Sequence, residues 1–306
     1  RDADPATNRQ GAAAAWLLAL ALAAVALVLR SLPRWRLWRT RRTSGDRGAM
    51  PSPRAGMAAT AGLRVLLALY LAVMLALAVG SVAGIWQFPH LLPQTLSWGA
   101  WRSVWESSGT VGTTLMLALA AALAALAWSV AWLETAPRQW DSWLRRIVYL
   151  PLVLPSVLWV VGIHAATVRW GMDTRWSGLW LAHALACVPY VLITLGPAYT
   201  GFDPRYRQVS ASLGHGRARF LLSVKWPLLR AALWSALAVG FAVSVAQYLP
   251  TLFIGGGRFA TVTTEAVSLA SGAQRSLTSA YAWLQWLLPV LAFGLAAWAG
   301  QARRFR

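Results

Sequence analysis

Apolar residues run almost without interruption through seven stretches of this chain, at 11–29, 61–86, 111–133, 147–168, 178–200, 231–254 and 279–300. Each is near the length of about 20 residues that an α-helix needs to cross the hydrocarbon core of a bilayer. Polar residues gather in the gaps between them. A β-barrel would instead show alternating strands of about ten residues, and these Leu- and Ala-rich runs do not alternate. The pattern predicts an all-α, polytopic membrane helical bundle of seven spans.

Composition agrees. Of 306 residues, 58% are hydrophobic and only 12% charged, too much apolar surface and too little charge for a soluble globule. The positions of the basic residues then set the orientation. Arg30, Arg34, Arg36, Arg39, Arg41, Arg42, Arg47, Arg54 and Arg64 follow the first span, which places that segment in the cytoplasm. With the spans alternating from there, 21 of the 28 Lys and Arg residues fall on the cytoplasmic side. The net charge of +19 is thereby a consequence of topology. Basic residues split among membrane-flanking loops do not form a nucleic-acid surface, and membrane lipids are the expected partner for them. Cys187, the single cysteine, falls inside the fifth span, so neither a disulfide nor a cysteine metal cluster forms within the chain.

The longest polar gap among the late spans has local structure of its own. Asp203 offers a carboxylate to the free N–H groups of a helix start, Pro204 suits the first helical position, and Gly214 suits the left-handed conformation that ends a helix. A short helix is expected over 204 to 213, and a second from Arg217 to Lys225 that stops near Pro227. The product is a compact helix-turn-helix between two spans, shaped to dock in a partner's cleft. The plainer alternative is an ordinary basic loop.

Within this gap stands Gln208-Val209-Ser210-Ala211-Ser212-Leu213-Gly214, followed after nine residues by Val224-Lys225-Trp226-Pro227. It resembles the coupling loop of ABC-importer permeases, whose pattern reads Glu-Ala-Ala, three residues, Gly, nine residues, Ile or Val, one residue, Leu-Pro. The Gly, Val and Pro keep the family's spacing, whereas Gln208, Val209 and Ser210 depart from its first three positions. The resemblance implies a six-span type I ABC permease unit over 61–306, with its coupling loop at 203–227 and one preceding span. It is nearest to fused permeases that carry two such units in one polypeptide, the group that handles iron(III), thiamine or polyamines. On that expectation 1–30 is the last span of a preceding unit and 31–60 a cytoplasmic linker rich in Arg, Pro, Ser and Gly. The implied partners are ABC ATPase subunits, an extracytoplasmic solute-binding protein and another permease unit, in the bacterial inner membrane. The implied coupling residues are Gln208, Val209, Ser210, Leu213, Gly214, Arg217, Arg219, Val224 and Pro227. With a neutral residue at 208, the electrostatic part of ATPase docking is expected from Arg205, Arg207, Arg217 and Arg219.

What the sequence lacks constrains the mechanism. No G-x-x-x-x-G-K-[ST] phosphate cradle occurs in it, so ATP hydrolysis is expected in a separate subunit. The span cores between 111 and 300 carry no Asp, Glu, Lys or Arg, which disfavours an ion-coupled secondary transporter, the alternative transport reading. Neither H-E-x-x-H nor G-x-S-x-G is present, so the chain is not expected to be an enzyme, and no cofactor, metal or catalytic residue is assigned. A structural membrane protein is the third class. His164 and His183 lie in spans, where the ordinary role of a histidine is a hydrogen bond between helices.

The translocation path needs polar side chains that bind cargo weakly. Tyr190, Ser244, Gln247 and Tyr248 are the candidates, with Ser156 and Thr194 beside them. Each serves equally as an interhelical hydrogen bond. Gln247 and Tyr248 precede Pro250, near which the backbone is expected to open. Thr263, Thr264 and Glu265 form an outer cluster whose alternative role is a helix cap. The many tryptophans at span edges, among them Trp86, Trp98, Trp101, Trp170, Trp176 and Trp180, suit the headgroup boundary.

The topology is directly testable. A reporter active only in the periplasm is expected to be silent when fused near residues 45, 140, 215 and 306, and active near 95, 172 and 265. A periplasmic signal at 215 would put the candidate coupling loop out of an ATPase's reach.

Overall fold

The computed structural model describes residues 53–86, 90, 92–136, 147–272 and 274–301. The expected span at 11–29 and most of the linker at 31–60 lie outside the described residues. Among those residues the protein is all-α, with one isolated antiparallel bridge between Ala83 and Leu96.

The chain divides into two units, 1–79 and 80–306. Helix α1 (Pro53–Ser81) supplies the described part of the first. Its apolar stretch Thr60–Ser81 is long enough to cross a membrane and has none of its most apolar window buried within the protein.

The second unit is built on four long helices. Helices α3 (Ser108–Thr135), α6 (Trp176–Thr200) and α12 (Arg275–Gly300) are each long and apolar enough to span. Helix α9 (Arg230–Val245) packs against all three. Where α3, α6 and α9 meet, the core is rich in small residues: Ala121, Ala125, Ala184, Cys187 and Ala236 are fully buried, beside the larger Val191, Leu195 and Tyr199. Gly240 shows how close the approach is. A Cβ there would lie 3.1 Å from Val191 and 3.3 Å from the Cβ of Ala122, and the Cys187 thiol donates to its carbonyl at 3.2 Å. A second cluster joins the short helix α2 (Gly99–Glu106) and α11 (Val262–Ala270) to α12 through Ala100, Val104, Val262, Ala266, Ala280 and Tyr281.

Two expected spans are not continuous helices. Residues 147–153 are helical, but the chain breaks at Leu154 and Pro155 before α5 (Ser156–Arg169) begins. Pro155 lacks an N–H and disfavours the helical conformation at the residue before it. The stretch 231–254 breaks likewise: α9 stops at Val245, and α10 (Leu249–Gly255) restarts with Pro250 in its first turn. Long apolar runs concealed both interruptions, although the opening near Pro250 was expected from the proline itself.

Open peptide groups inside hydrocarbon are costly, and the second break is held by side chains. Thr251 donates to the Gln247 carbonyl at 2.9 Å. Its oxygen therefore accepts from His183 Nε2 at 2.9 Å, and His183 Nδ1 accepts from the Ser244 hydroxyl at 2.9 Å. One imidazole from α6 thus ties the end of α9 to the start of α10, and His183, Ser244 and Thr251 are all buried. Replacing His183 with Leu strands the Ser244 hydroxyl and removes the donor to Thr251, and is expected to cost about 1–3 kcal/mol, read as a lower thermal midpoint in detergent. Ser244→Ala, which removes one partner only, is expected to lower it less.

Candidate functional site

The gap between α6 and α9 folds as expected, into two short helices at a sharp turn. Helix α7 spans Arg205–Ser212. Asp203 Oδ1 accepts from the Arg205 N–H at 2.9 Å, and Pro204, with φ of −64°, sits one position earlier than expected, just outside the helix. At the other end the His215 N–H reaches the Ser210 carbonyl at 3.1 Å and the Gly214 N–H reaches that of Ala211 at 2.9 Å. This is a Schellman cap. It needs a left-handed residue, and Gly214 has φ of +74°.

Helix α8 (Arg217–Leu228) is less regular than the sequence suggests. It begins as α-helix, widens to a π-helix over Leu221–Lys225, and closes with Trp226–Leu228. Pro227 does not stop it directly, because it stands in the first turn of this closing piece, where no N–H is required. The chain then turns by 77° into α9. A π-turn admits one extra residue and advances the helix face by roughly 100°. Lys225 and Trp226, at the end of the wide turn, are the residues that reach the spans.

They reach a carboxylate. Glu134, in the last turn of α3, receives Lys225 Nζ on Oε1 at 2.5 Å and the Tyr199 hydroxyl on the same oxygen at 2.6 Å. Arg217 lies 3.4 Å from its other oxygen and donates to the Glu134 backbone carbonyl at 2.7 Å. Trp226 Nε1 donates to the Tyr199 oxygen at 3.2 Å. The Lys225 ammonium also stands 3.9 Å above the centre of the Tyr199 ring. Side chains of Lys225 and Glu134 are only 13% and 14% exposed, so water screens this pair poorly. Lys225 is the chain's only lysine, and nothing in the sequence links it to Glu134, which lies 91 residues away.

Much of the rest of the candidate coupling set is exposed, Ser210 and Val224 excepted. Val209 and Leu213, four apart and so on one face of α7, are 60% and 67% exposed. Gln208, Arg219 and Pro227 are exposed as well. Arg217 is half-engaged, paired with Glu134 but still 56% exposed. Between the two helices is a cleft of about 490 Å³, lined by Asp203, Tyr206, Ser210, His215 and Val224 among others. Ser210 is buried, and its hydroxyl has no hydrogen-bond partner among the described residues.

The path candidates are not gathered in one place. Ser244 is engaged by His183, while Gln247 and Tyr248 are half-buried at the helix break. Tyr190 is 40% exposed on α6, outside that chain of hydrogen bonds, and Thr194 donates to its carbonyl. Ser156 is exposed. His164 pairs with Asp173 at 3.2 Å. In the outer cluster the capping role holds, since Thr261 and Thr264 form a capping box at the start of α11 and Thr263 donates to the Val245 carbonyl.

No protein-family model matches the chain. Individual proteins do. The inner membrane ABC transporter permease protein YnjC of Escherichia coli K12 is 39% identical over 177 residues, which are 56% of this chain and 34% of that protein. The thiamine transport system permease protein ThiP of Brucella suis is 30% identical over 138 residues, 40% of this chain and 25% of its own length. The spermidine/putrescine transport system permease protein PotC of Haemophilus influenzae is 26% identical over 110 residues, 36% of this chain and 43% of its own. The chain therefore spans a quarter to under a half of the lengths of these relatives. Its homologues are inner-membrane permeases of ABC transport systems rather than enzymes. These relatives and the apolar helices support a multi-pass inner-membrane protein.

The turn at Gly214 yields a specific expectation. A Cβ there meets nothing within 4 Å, so the cost of a substitution comes from the positive φ alone. Gly214→Val is expected to cost on the order of 1 kcal/mol or more and Gly214→Asn less, since Asn tolerates this region. The readout is faster limited proteolysis within 203–228 at unchanged membrane insertion.

Proposed function

We propose that this chain is the transmembrane permease component of an ATP-driven importer, moving a small solute handed over by an extracytoplasmic binding protein. Hairpin 203–228 is its coupling element, and the ATPase is a separate subunit that docks on it. The observation that carries this reading is the capped hairpin itself. It keeps the Gly, Val and Pro spacing of the ABC coupling loop, has the left-handed turn at Gly214, and presents Val209 and Leu213 outward. Relatives that are ABC permeases support it. The solute classes proposed are thiamine, iron(III) or a polyamine, in keeping with relatives named for thiamine and for spermidine/putrescine transport. In the proposed assembly a second permease unit completes the pathway, with the break at Gln247 and Tyr248 lining it.

In this mechanism nucleotide closure of the ATPase pushes on α7, and the hairpin passes the displacement to the spans. Docking has an apolar part from Val209 and Leu213 and an electrostatic part from Arg205, Arg207 and Arg219, all exposed. Arg217 contributes less to it than its sequence position suggested, because Glu134 holds it.

Co-purification is the decisive test. A P-loop ATPase is expected to elute with the detergent-solubilised chain in fixed stoichiometry. Capture is expected to weaken at high salt, where exposed ion pairs are screened. It is expected to fall further with Arg205→Glu and Arg219→Glu together than with Gln208→Ala. Uptake driven by a proton or sodium gradient with no ATPase bound would overturn the proposal in favour of a secondary transporter.

A further inference from the structure

A coupling hairpin transmits force only if it cannot swivel. Here its covalent connections are poor transmitters. On one side it hangs from α6 by the Gly201–Pro204 connection, and on the other it meets α9 at the 77° turn around Leu229. Helix α3 has no direct chain connection to it. What stiffens the arrangement is the set of side-chain contacts on Glu134, where groups from three elements meet: the carboxylate from α3, the Tyr199 hydroxyl from α6, and Lys225 and Arg217 from α8. Phe202 adds packing in the connection itself, with ring centres 5.4 Å from Tyr206 and 6.2 Å from Phe220.

We infer that Glu134 is the positioning residue of the coupling step: by holding Lys225, Tyr199 and Arg217 it makes the hairpin and the inner ends of α3 and α6 move as one body. This rests on the reading of 203–228 as the ATPase-coupling element and says which spans receive the motion. The chemistry of the joint is specific. A carboxylate takes a Lys ammonium and a Tyr hydroxyl on one oxygen and leaves the other to a guanidinium, so a single side chain binds three donors. Lys225 suits its place because the ammonium is compact and fits between the carboxylate and the face of Tyr199 at 3.9 Å. The planar fork of Arg needs a wider, bidentate seat. Both charges are largely sequestered from water, so removing Glu134 leaves Lys225 buried without its carboxylate, and removing Lys225 leaves Glu134 with only the Tyr199 hydroxyl and the more distant Arg217, whereas exchanging them preserves the pair. No residue of the joint needs to touch solute or nucleotide.

The test separates docking from coupling in proteoliposomes that contain the full chain, the ATPase recovered by co-purification and the cognate binding protein. Glu134→Gln and Lys225→Met are each expected to leave ATPase capture within about twofold, yet to lower solute moved per ATP hydrolysed on the order of tenfold, the scale of a coupled buried pair. Exchanging the two residues, Glu134→Lys with Lys225→Glu, is expected to restore part of the loss, because it rebuilds the buried pair while Arg217 loses its carboxylate; a general loss of stability would allow no such recovery. Tyr199→Phe and Lys225→Arg are milder changes that keep the fold if the first variants do not assemble, and each is expected to lower solute moved per ATP by about two- to fivefold. Unchanged transport per ATP in Glu134→Gln, or in both milder variants, would overturn the inference while leaving the coupling-hairpin reading intact. Failure of the unmodified chain to capture an ATPase would instead remove that reading, and the inference with it.

Discussion

Hydrocarbon offers no partner to an open peptide group, and much of this structure follows from that constraint. A long helix without an internal proline satisfies it by itself, as α3 does. A span that breaks must find substitutes, and around 246–248 it finds them in the hydroxyls of Thr251 and Thr263, which donate to the Gln247 and Val245 carbonyls, with the buried His183 holding Thr251 and Ser244 in place. The same constraint accounts for Pro189 and Pro197 inside α6 and Pro289 inside α12. Prolines of this kind are tolerated in membrane helices where neighbouring groups take up the freed carbonyls. Among the described residues buried polar side chains are accordingly few, and apart from Ser129 and Ser210 most of them serve backbone geometry or one another.

Where the chain leaves hydrocarbon, charge takes over the same organising role. Glu134 sits in the last turn of its helix, at the boundary where an ion pair is dry enough to be strong and wet enough to be bearable. The hairpin has few buried side chains of its own; Ser210 and Phe220 are the ones in its two helices. Its position is therefore set by capping hydrogen bonds within it and by ionic contacts at its base. Its outward face remains available, with Val209 and Leu213 exposed beside Arg205 and Arg219.

Local signals were legible in the sequence and non-local ones were not. Hydrophobic length located the helices that became α3, α6 and α12 within a few residues, and Asp203, Pro204 and Gly214 located α7 because capping chemistry acts over a few bonds. The run at 147–168 hides its break at Pro155, since apolar residues look the same whether or not a proline interrupts their hydrogen bonds, whereas the opening near Pro250 was expected. The π-turn at Leu221–Lys225 has no compositional mark. Glu134 was invisible for a different reason: its meaning depends on Lys225, 91 residues on, and no spacing rule links the ends of two helices brought together by packing. Among the path candidates, Ser244 could be placed only once His183 was seen against it.

The smallness of the side chains between α3, α6 and α9 has a consequence for motion. Alanine, glycine and cysteine give surfaces with shallow relief, so one helix shifts past another without lifting large side chains out of matching hollows. Such side chains have almost no rotamer freedom to lose or regain when the packing changes. Sliding of closely packed helices is a recognised form of conformational change, and here the seam around Gly240 is built for it. The small side chains thus leave this seam the smoothest part of the interior, while the contacts on Glu134 tie the ends of α3 and α6 to α8.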